Sequence, residues 1–541
     1  MKRQKIGAIR TAVGLSAALS MSTAHAADPK TDAQPDASAD AGGEAAGETS
    51  PNAEGAGPET SAENAKQALS IPHEKYTLAN GLEVILHEDH ASPFVAVSVW
   101  YHVGAFHEPA GRSGFAHLFE HLMFQGSEHV GDDMHIGLLE QAGASVRKGM
   151  VNGTTNFDRT NYFEVVPKNE IELALWLESD RMGYLGSAMS QAKLDEQRKV
   201  VKNERLQSIE NVPYGLAEEK LWQSMFPATH PYYGAVIGSM ADLDAATLDD
   251  VRAFYDQYYA PSNATLTIAG DFEPAKAKAL VEKYFATLPV WDKPPARLVT
   301  PPAITSPLRV DAVETIGKLP KITFMWFTPK FFAPGDAEMD VLAHVLSSGK
   351  SSRLQRALMY DEQLAQRVVA YQRSMQNISV FGIEVVVRDG VDPDSVLSAL
   401  ESQLEFLRDL PPESTEIERA VNAIETQRLF GMQKVGGFSG KAEQLQSYNH
   451  FLGKPDWLAE DVARYQNVTT ESLEQSINSF LTADKRAVQV AIPGEAPPPA
   501  PDTSETNTET AAPDESTSTK SEASATEDAA SDGKKAEGSE A

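Results

Sequence analysis

The chain has no cysteine among its 541 residues. That excludes a disulfide framework, a cysteine metal ligand and an acceptor thiol for a lipid anchor. Long apolar runs are missing too: no segment reaches the ~18 residues a membrane-spanning helix needs. Positive charge is scarce, with 47 Lys and Arg against 77 Asp and Glu and a formal net charge of -30. Such a surface does not suit nucleic acid as a partner. Aromatic residues nearly vanish from two acidic stretches, 27–70 and 496–541. These cannot bury enough apolar surface to offset the entropy of ordering, so they read as disordered, with a tether or docking role as the alternative.

The N-terminus has the parts of a secretory signal. Lys2, Arg3, Lys5 and Arg10 form a basic region, Ala12 to Ser20 a short apolar one, and Ala24-His25-Ala26 a cleavage site, giving a signal over residues 1–26. Export without cysteine points to a bacterial periplasm and to stabilisation by core packing.

The remaining chain divides at a Pro-rich linker, 294–307, into halves at 71–293 and 308–495. The first opens with a hairpin at Tyr76 to His87 around Asn80-Gly81. Strands follow at Val95–Val103, Tyr162–Val166 and Asn263–Ala269, with helices at Gly114–Phe124, Ile171–Met182, Gln191–Asn211 and Pro274–Leu288. The second half has strands at Lys321–Thr328, Ile378–Val387 and Ala487–Ile492. Its helices are read at Asp336–Leu346, Pro393–Leu407, Glu416–Gln433 and Thr470–Leu481. Asn263 to Gly270 and Arg486 to Gly494 look like one ending used twice. The expected class is α+β: two related domains, each an antiparallel-rich mixed sheet packed with helices.

The chemistry concentrates in His117-Leu118-Phe119-Glu120-His121. Residues four apart share a helix face, so His117 and His121 can reach one metal ion, and Glu120 falls on the same side. Two imidazoles with a nearby carboxylate suit zinc and proton transfer. A third protein ligand is needed, and the helical stretch after Leu194 offers Asp195, Glu196 and Glu204; spacing leaves all three open.

With its context, the motif resembles the insulinase/pitrilysin-type zinc peptidases, in the short-subunit branch of the mitochondrial processing peptidase. The landmarks are Gly114 to Gly126, Asn152-Gly-Thr-Thr155, Asp158-Arg-Thr-Asn-Tyr162, Val200 to Arg205, His230-Pro231 and Tyr258 to Ala264. The resemblance implies zinc bound by His117, His121 and Glu204, one ion per chain. It implies a zinc-activated water with Glu120 as general base and then acid. It also implies an edge strand near Asn152, Gly153, Thr154 and Thr155 that aligns a peptide substrate by strand addition. Two features depart from the family. Glu204 lies 83 residues after His121, with the extra length placed at Ser145–Met150, and Gln197 stands where many members carry an acid.

The second half has no zinc motif. Its segment Ser352 to Gln366 holds Met359 and Gln366 where full-length members bring an Arg and a Tyr to the substrate carbonyl; Arg356 and Tyr360 lie nearby. A homologous partner subunit supplying that pair is therefore expected, in a heterodimer or a homodimer. The expected function is a periplasmic zinc-dependent endopeptidase acting on peptides or unfolded segments. A non-catalytic peptide-binding or assembly subunit is the alternative, and a hydrolase of non-peptide carbonyls a third. Gly349-Lys350-Ser351 lacks the earlier glycine of a phosphate loop, since His344 stands there. His87, His90, His102, His107, His129 and His135 read as surface or packing histidines, and Trp100, Trp176 and Trp222 as core.

Overall fold

The computed structural model describes residues 69–495. The signal, the tail and nearly all of the first acidic stretch lie outside the described residues. Among the described residues no helix is long and apolar enough to cross a membrane.

The first sheet uses β1 (Glu74–Thr77), β2 (Glu83–Glu88), β3 (Phe94–Tyr101), β4 (Val151–Thr155), β5 (Thr160–Pro167) and β6 (Ala264–Gly270). Their order is β1-β2-β6-β3-β5-β4, with β2 and β6 parallel and the other neighbours antiparallel. The hairpin forms as the Asn80-Gly81 signal predicts. Gly81 has φ +92°, and a Cβ there would lie 2.9 Å from that of Ser262. That combination of conformation and closeness favours glycine.

The second sheet uses β7 (Leu308–Arg309), β8 (Ala312–Glu314), β9 (Lys321–Thr328), β10 (Ala365–Arg373), β11 (Ser379–Val387) and β12 (Arg486–Pro493). It runs β10-β11-β9-β12, with β7 and β8 both parallel to β12 on its far side. β6 and β12 thus occupy the same place: each has an antiparallel partner on one side and a parallel one on the other. The matching endings in the sequence are matching strands in a duplicated α+β unit. Each sheet has its own apolar core.

The halves are interlocked. The helix Gly215–Met225, from the first half, packs on the second sheet: Gln489 Nε2 donates to the Ala217 carbonyl at 2.7 Å, and Glu218 pairs with buried Lys321. In return, the helix Lys441–Leu452 lies on the first sheet, where Gln446 Nε2 donates to the carbonyls of Ser98 (3.0 Å) and Thr265 (2.8 Å). The first buries an apolar stripe of Ala217, Leu221, Trp222 and Met225; the second is not evident from hydrophobic periodicity. Lys441–Leu452 buries Gln446 and Asn449 beside Leu445 and Tyr448, so polar residues interrupt its apolar stripe. The linker has no helix or strand, yet it is held: Arg297 donates to the carbonyls of Phe106 (2.5 Å) and Glu108 (3.1 Å).

A histidine pair closes the interlock. His102 follows β3 and His450 lies on the docked helix; their Nδ1 atoms are 2.6 Å apart and the rings are stacked. One ring donates and the other accepts, an arrangement that two imidazolium ions cannot keep. Burial holds His102 down to about 4, with Lys293 adding to the effect, and holds His450 well below its ordinary value of 6.5. Because the folded values are depressed, this stabilisation is present above pH 6.5 and is lost as the pH falls toward about 4. His450→Gln should therefore flatten the fall of melting temperature over that window; an unchanged slope would show that the pair does not set it.

Candidate active site

The helix Phe115–Leu122 is buried along its whole length. It starts at Gly114, whose φ is +87° and where a Cβ would sit 2.6 Å from the Ile237 carbonyl oxygen. Glu108 accepts from the Gly114 N–H (3.0 Å) and the Ala116 N–H (2.8 Å), serving helix-start donors that have no partner inside the helix. Burial pushes the Glu108 carboxyl up to about 8, against the pull of those N–H groups.

His117 and His121 sit one turn apart with their rings edge to face, centroids 4.8 Å apart. Glu204 comes from the last turn of the helix Gln191–Arg205. Its Oε2 is 3.3 Å from His121 Nε2 and 3.8 Å from His117 Nε2. The next residue fixes this turn: Arg205 donates to Glu210 (2.9 Å), to Glu219 (2.7 Å) and to the Gly238 carbonyl (2.8 Å). A π-helical turn, Leu206–Glu210, follows directly. Such turns often occur at functional sites. The alternatives point elsewhere: Asp195 pairs with Arg198 at 2.6 Å, and Glu196 is exposed. Gln197, which stands in place of an acid, is buried.

One ligand atom from each of His117, His121 and Glu204 lies within 4.8 Å of the others. Both nitrogens of His117, Nε2 of His121 and both oxygens of Glu204 are buried without a hydrogen-bond partner. Unpartnered buried polar atoms are costly, and a cation between one such atom from each of the three residues would satisfy those atoms together. The donor set of two imidazoles and one carboxylate fits zinc. Burial, reinforced by His121, pushes the His117 pKa well down and keeps the imidazole in the neutral form that binds metal.

Glu120 stands beside this group. Burial pushes its carboxyl up to about 6, with Glu204 adding to the rise and His121 and Thr155 opposing it. Its Oε2 accepts from Thr155 Oγ1 at 2.6 Å, and its Oε1 has no partner. The neighbouring β4 is the last strand of its sheet and pairs only with β5 among the described residues. Met150 O accepts from Val165 N, and Asn156 N donates to Arg159 O. Antiparallel alternation then turns the backbone groups of Asn152 and Thr154 toward β5. Those of Val151, Gly153 and Thr155 face the open edge. Asn152 Oδ1 covers the Gly153 N–H at 3.0 Å. Gly153 passes close to the base: a Cβ there would be 3.1 Å from Glu120 Oε1 and 3.2 Å from the Phe124 ring.

Two family models match. One, the insulinase family (peptidase family M16), covers residues 83–231, and the other, the peptidase M16 inactive domain, covers residues 245–424. Together they take in more than half of the sequence. The chain belongs to the insulinase family. The zinc protease PqqE of Helicobacter pylori is 28% identical over 344 residues, which is 62% of this chain and 74% of that protein. A probable mitochondrial-processing peptidase β subunit of Arabidopsis thaliana is 22% identical over 79% of this chain and 80% of its own length. A crystal structure of a protease from Helicobacter pylori superposes with a TM-score of 0.72 at 23% identity, covering 78% of this chain and all of that one. That likeness bears on the fold.

Met359 packs against the core of the second sheet, and Gln366 is exposed at the start of β10. Arg356 and Tyr360 are exposed, Arg356 lying 3.4 Å from Asp361. Neither residue bonds to the His117 group among the described contacts. The other singled-out histidines also stay apart from it: His87 contacts the Pro72 carbonyl, His90 lies between Glu88 and Asp271, and His129 bonds Asp180. Sequence reasoning gave no role to Glu108 or to Arg205 alone. An acid before a glycine-started helix is the signal for Glu108; Arg205 offered none beyond following the ligand.

Replacing Glu204 with Gln leaves the shape and removes the charge. Metal affinity, measured by equilibrium dialysis, should fall at least ~10-fold, the scale seen even for lesser changes around metal sites. Asp195→Asn should leave it unchanged.

Proposed function

We propose that this protein is a periplasmic zinc-dependent endopeptidase that hydrolyses peptides or unfolded polypeptide segments. The observation that carries the reading is the buried, unpartnered group of His117, His121 and Glu204, with the free Oε1 of Glu120 beside an open strand edge. Zinc held by those three residues, one ion per chain, would activate a water and polarise the scissile carbonyl. The first half, 71–293, then carries the chemistry, and the second, 308–495, is its non-metal counterpart. The location follows from the signal-like segment and the cysteine-free composition.

The chain's own groups do the rest. The outward backbone groups of Val151, Gly153 and Thr155 take a peptide as an added strand, with the Asn152 side chain moving off the Gly153 N–H. Backbone pairing carries the affinity, so many sequences are accepted. Glu120 receives the proton of the attacking water at Oε1 and delivers it to the leaving nitrogen. Burial, by raising the Glu120 pKa, suits it to both tasks.

The reading also includes a partner. Met359 and Gln366 supply neither a guanidinium nor a phenol, so a homologous subunit would bring an Arg/Tyr pair to the substrate carbonyl, in a heterodimer or a homodimer. The same observation favours a second reading: a peptide-binding or assembly subunit that does not turn over substrate.

Glu120→Gln should keep one zinc per chain and lower kcat on a mixed peptide library by at least ~100-fold. Full turnover in that variant would contradict the mechanism. Zinc-loaded wild-type protein that cleaves nothing, alone or with a homologue, would favour the second reading. Full activity of the lone chain as a monomer would contradict the partner.

A further inference from the structure

We propose that Thr155 is a positioning residue that holds one oxygen of Glu120 and leaves the other free, and that the second half secures this contact through Glu443. The inference rests on the peptidase reading above.

β4 has two faces, because side chains alternate along a strand. Gly153 and Thr155 face Glu120: the first makes room for the carboxylate and the second bonds it at 2.6 Å. The Thr155 hydroxyl thus fixes Oε2, while Oε1 is buried with no partner. Thr155 also turns its backbone groups to the open edge. A peptide paired there fixes the backbone of the same residue that orients the base, so the peptide seat and the base are joined in one side chain.

The opposite face of β4 is tied to the second half. Thr154 Oγ1 donates to Asn161 Oδ1, and Arg159 Nη1 donates to the Thr154 carbonyl at 2.8 Å. Asn161 Nδ2 in turn donates to Glu443 Oε2 at 2.7 Å. Glu443 also accepts from Trp100 Nε1 (2.9 Å) and Ser98 Oγ (2.5 Å). It rides on the helix Lys441–Leu452, which the second half lays on the first sheet. A half without metal ligands thereby fixes the strand beside the base.

The test uses the zinc-loaded full chain, with its partner subunit if activity requires one, and a quenched fluorescent peptide. Thr155→Val keeps the shape and removes the hydroxyl. It should lower kcat about 10- to 100-fold, the scale of losing one hydrogen bond to a charged group. KM should stay within about twofold and zinc at one per chain; Thr155→Ser should restore kcat to within about threefold of wild type. Glu443→Gln should lower kcat with zinc retained, and the double variant with Thr155→Val should fall no further than Thr155→Val alone, as coupled sites do. Unchanged kcat in Thr155→Val, loss of its zinc, or failure of serine to rescue would overturn the role of Thr155. Additive losses in the double variant would overturn that of Glu443. In these cases wild-type cleavage leaves the peptidase reading standing; a zinc-loaded wild type that cleaves nothing sinks both.

Discussion

Five buried nitrogen and oxygen atoms on His117, His121 and Glu204 have no protein partner. A cation held by one atom of each residue would offset much of that cost, and the neighbouring structure keeps the three residues converged. Glu108 ties off the start of the histidine helix, and Gly114 lets that helix begin against the backbone at Ile237. Arg205 clamps the turn that ends in Glu204. β4 then brings an open edge to within contact of Glu120, because a glycine stands where any side chain would press on the carboxylate.

The duplicated architecture explains how this site is supported without a second metal motif. Each half contributes a helix to the other's sheet, so neither sheet has an independent outer layer. The helix carrying Glu443 and His450 covers β3 and β6 of the first half. Its polar contacts reach the residues that flank β4. The second half is thus part of the frame of the site.

Much of this was legible in the sequence. The i, i+4 spacing of His117 and His121 placed both on one face, and β9, a short apolar run, was located to the residue. The two sheets of the expected α+β class are present. The choice among Asp195, Glu196 and Glu204 was not legible from spacing, because all three lie on one helix; the structure shows Asp195 engaged by Arg198 and Glu196 turned outward. The helix Lys441–Leu452 is hard to read because its buried face carries Gln446 and Asn449, which bond sheet carbonyls and Glu83 instead of filling an apolar core; Gly215–Met225, absent from the expected elements, does have an apolar stripe of Ala217, Leu221, Trp222 and Met225. Thr155 was read as a substrate contact. Its backbone lies on the open edge of β4 and its hydroxyl is on Glu120, a side-chain direction that no one-dimensional pattern reveals.

The central claim is that the His117 group and the open edge of β4 form one site. The most direct measurement is a structure of the zinc-loaded protein with a peptide whose central amide is replaced by a non-hydrolysable linkage. The account predicts zinc on His117, His121 and Glu204, and the peptide as an added strand bonded to the backbone of Gly153 and Thr155. Zinc on other residues, or a peptide seated away from β4, would contradict it.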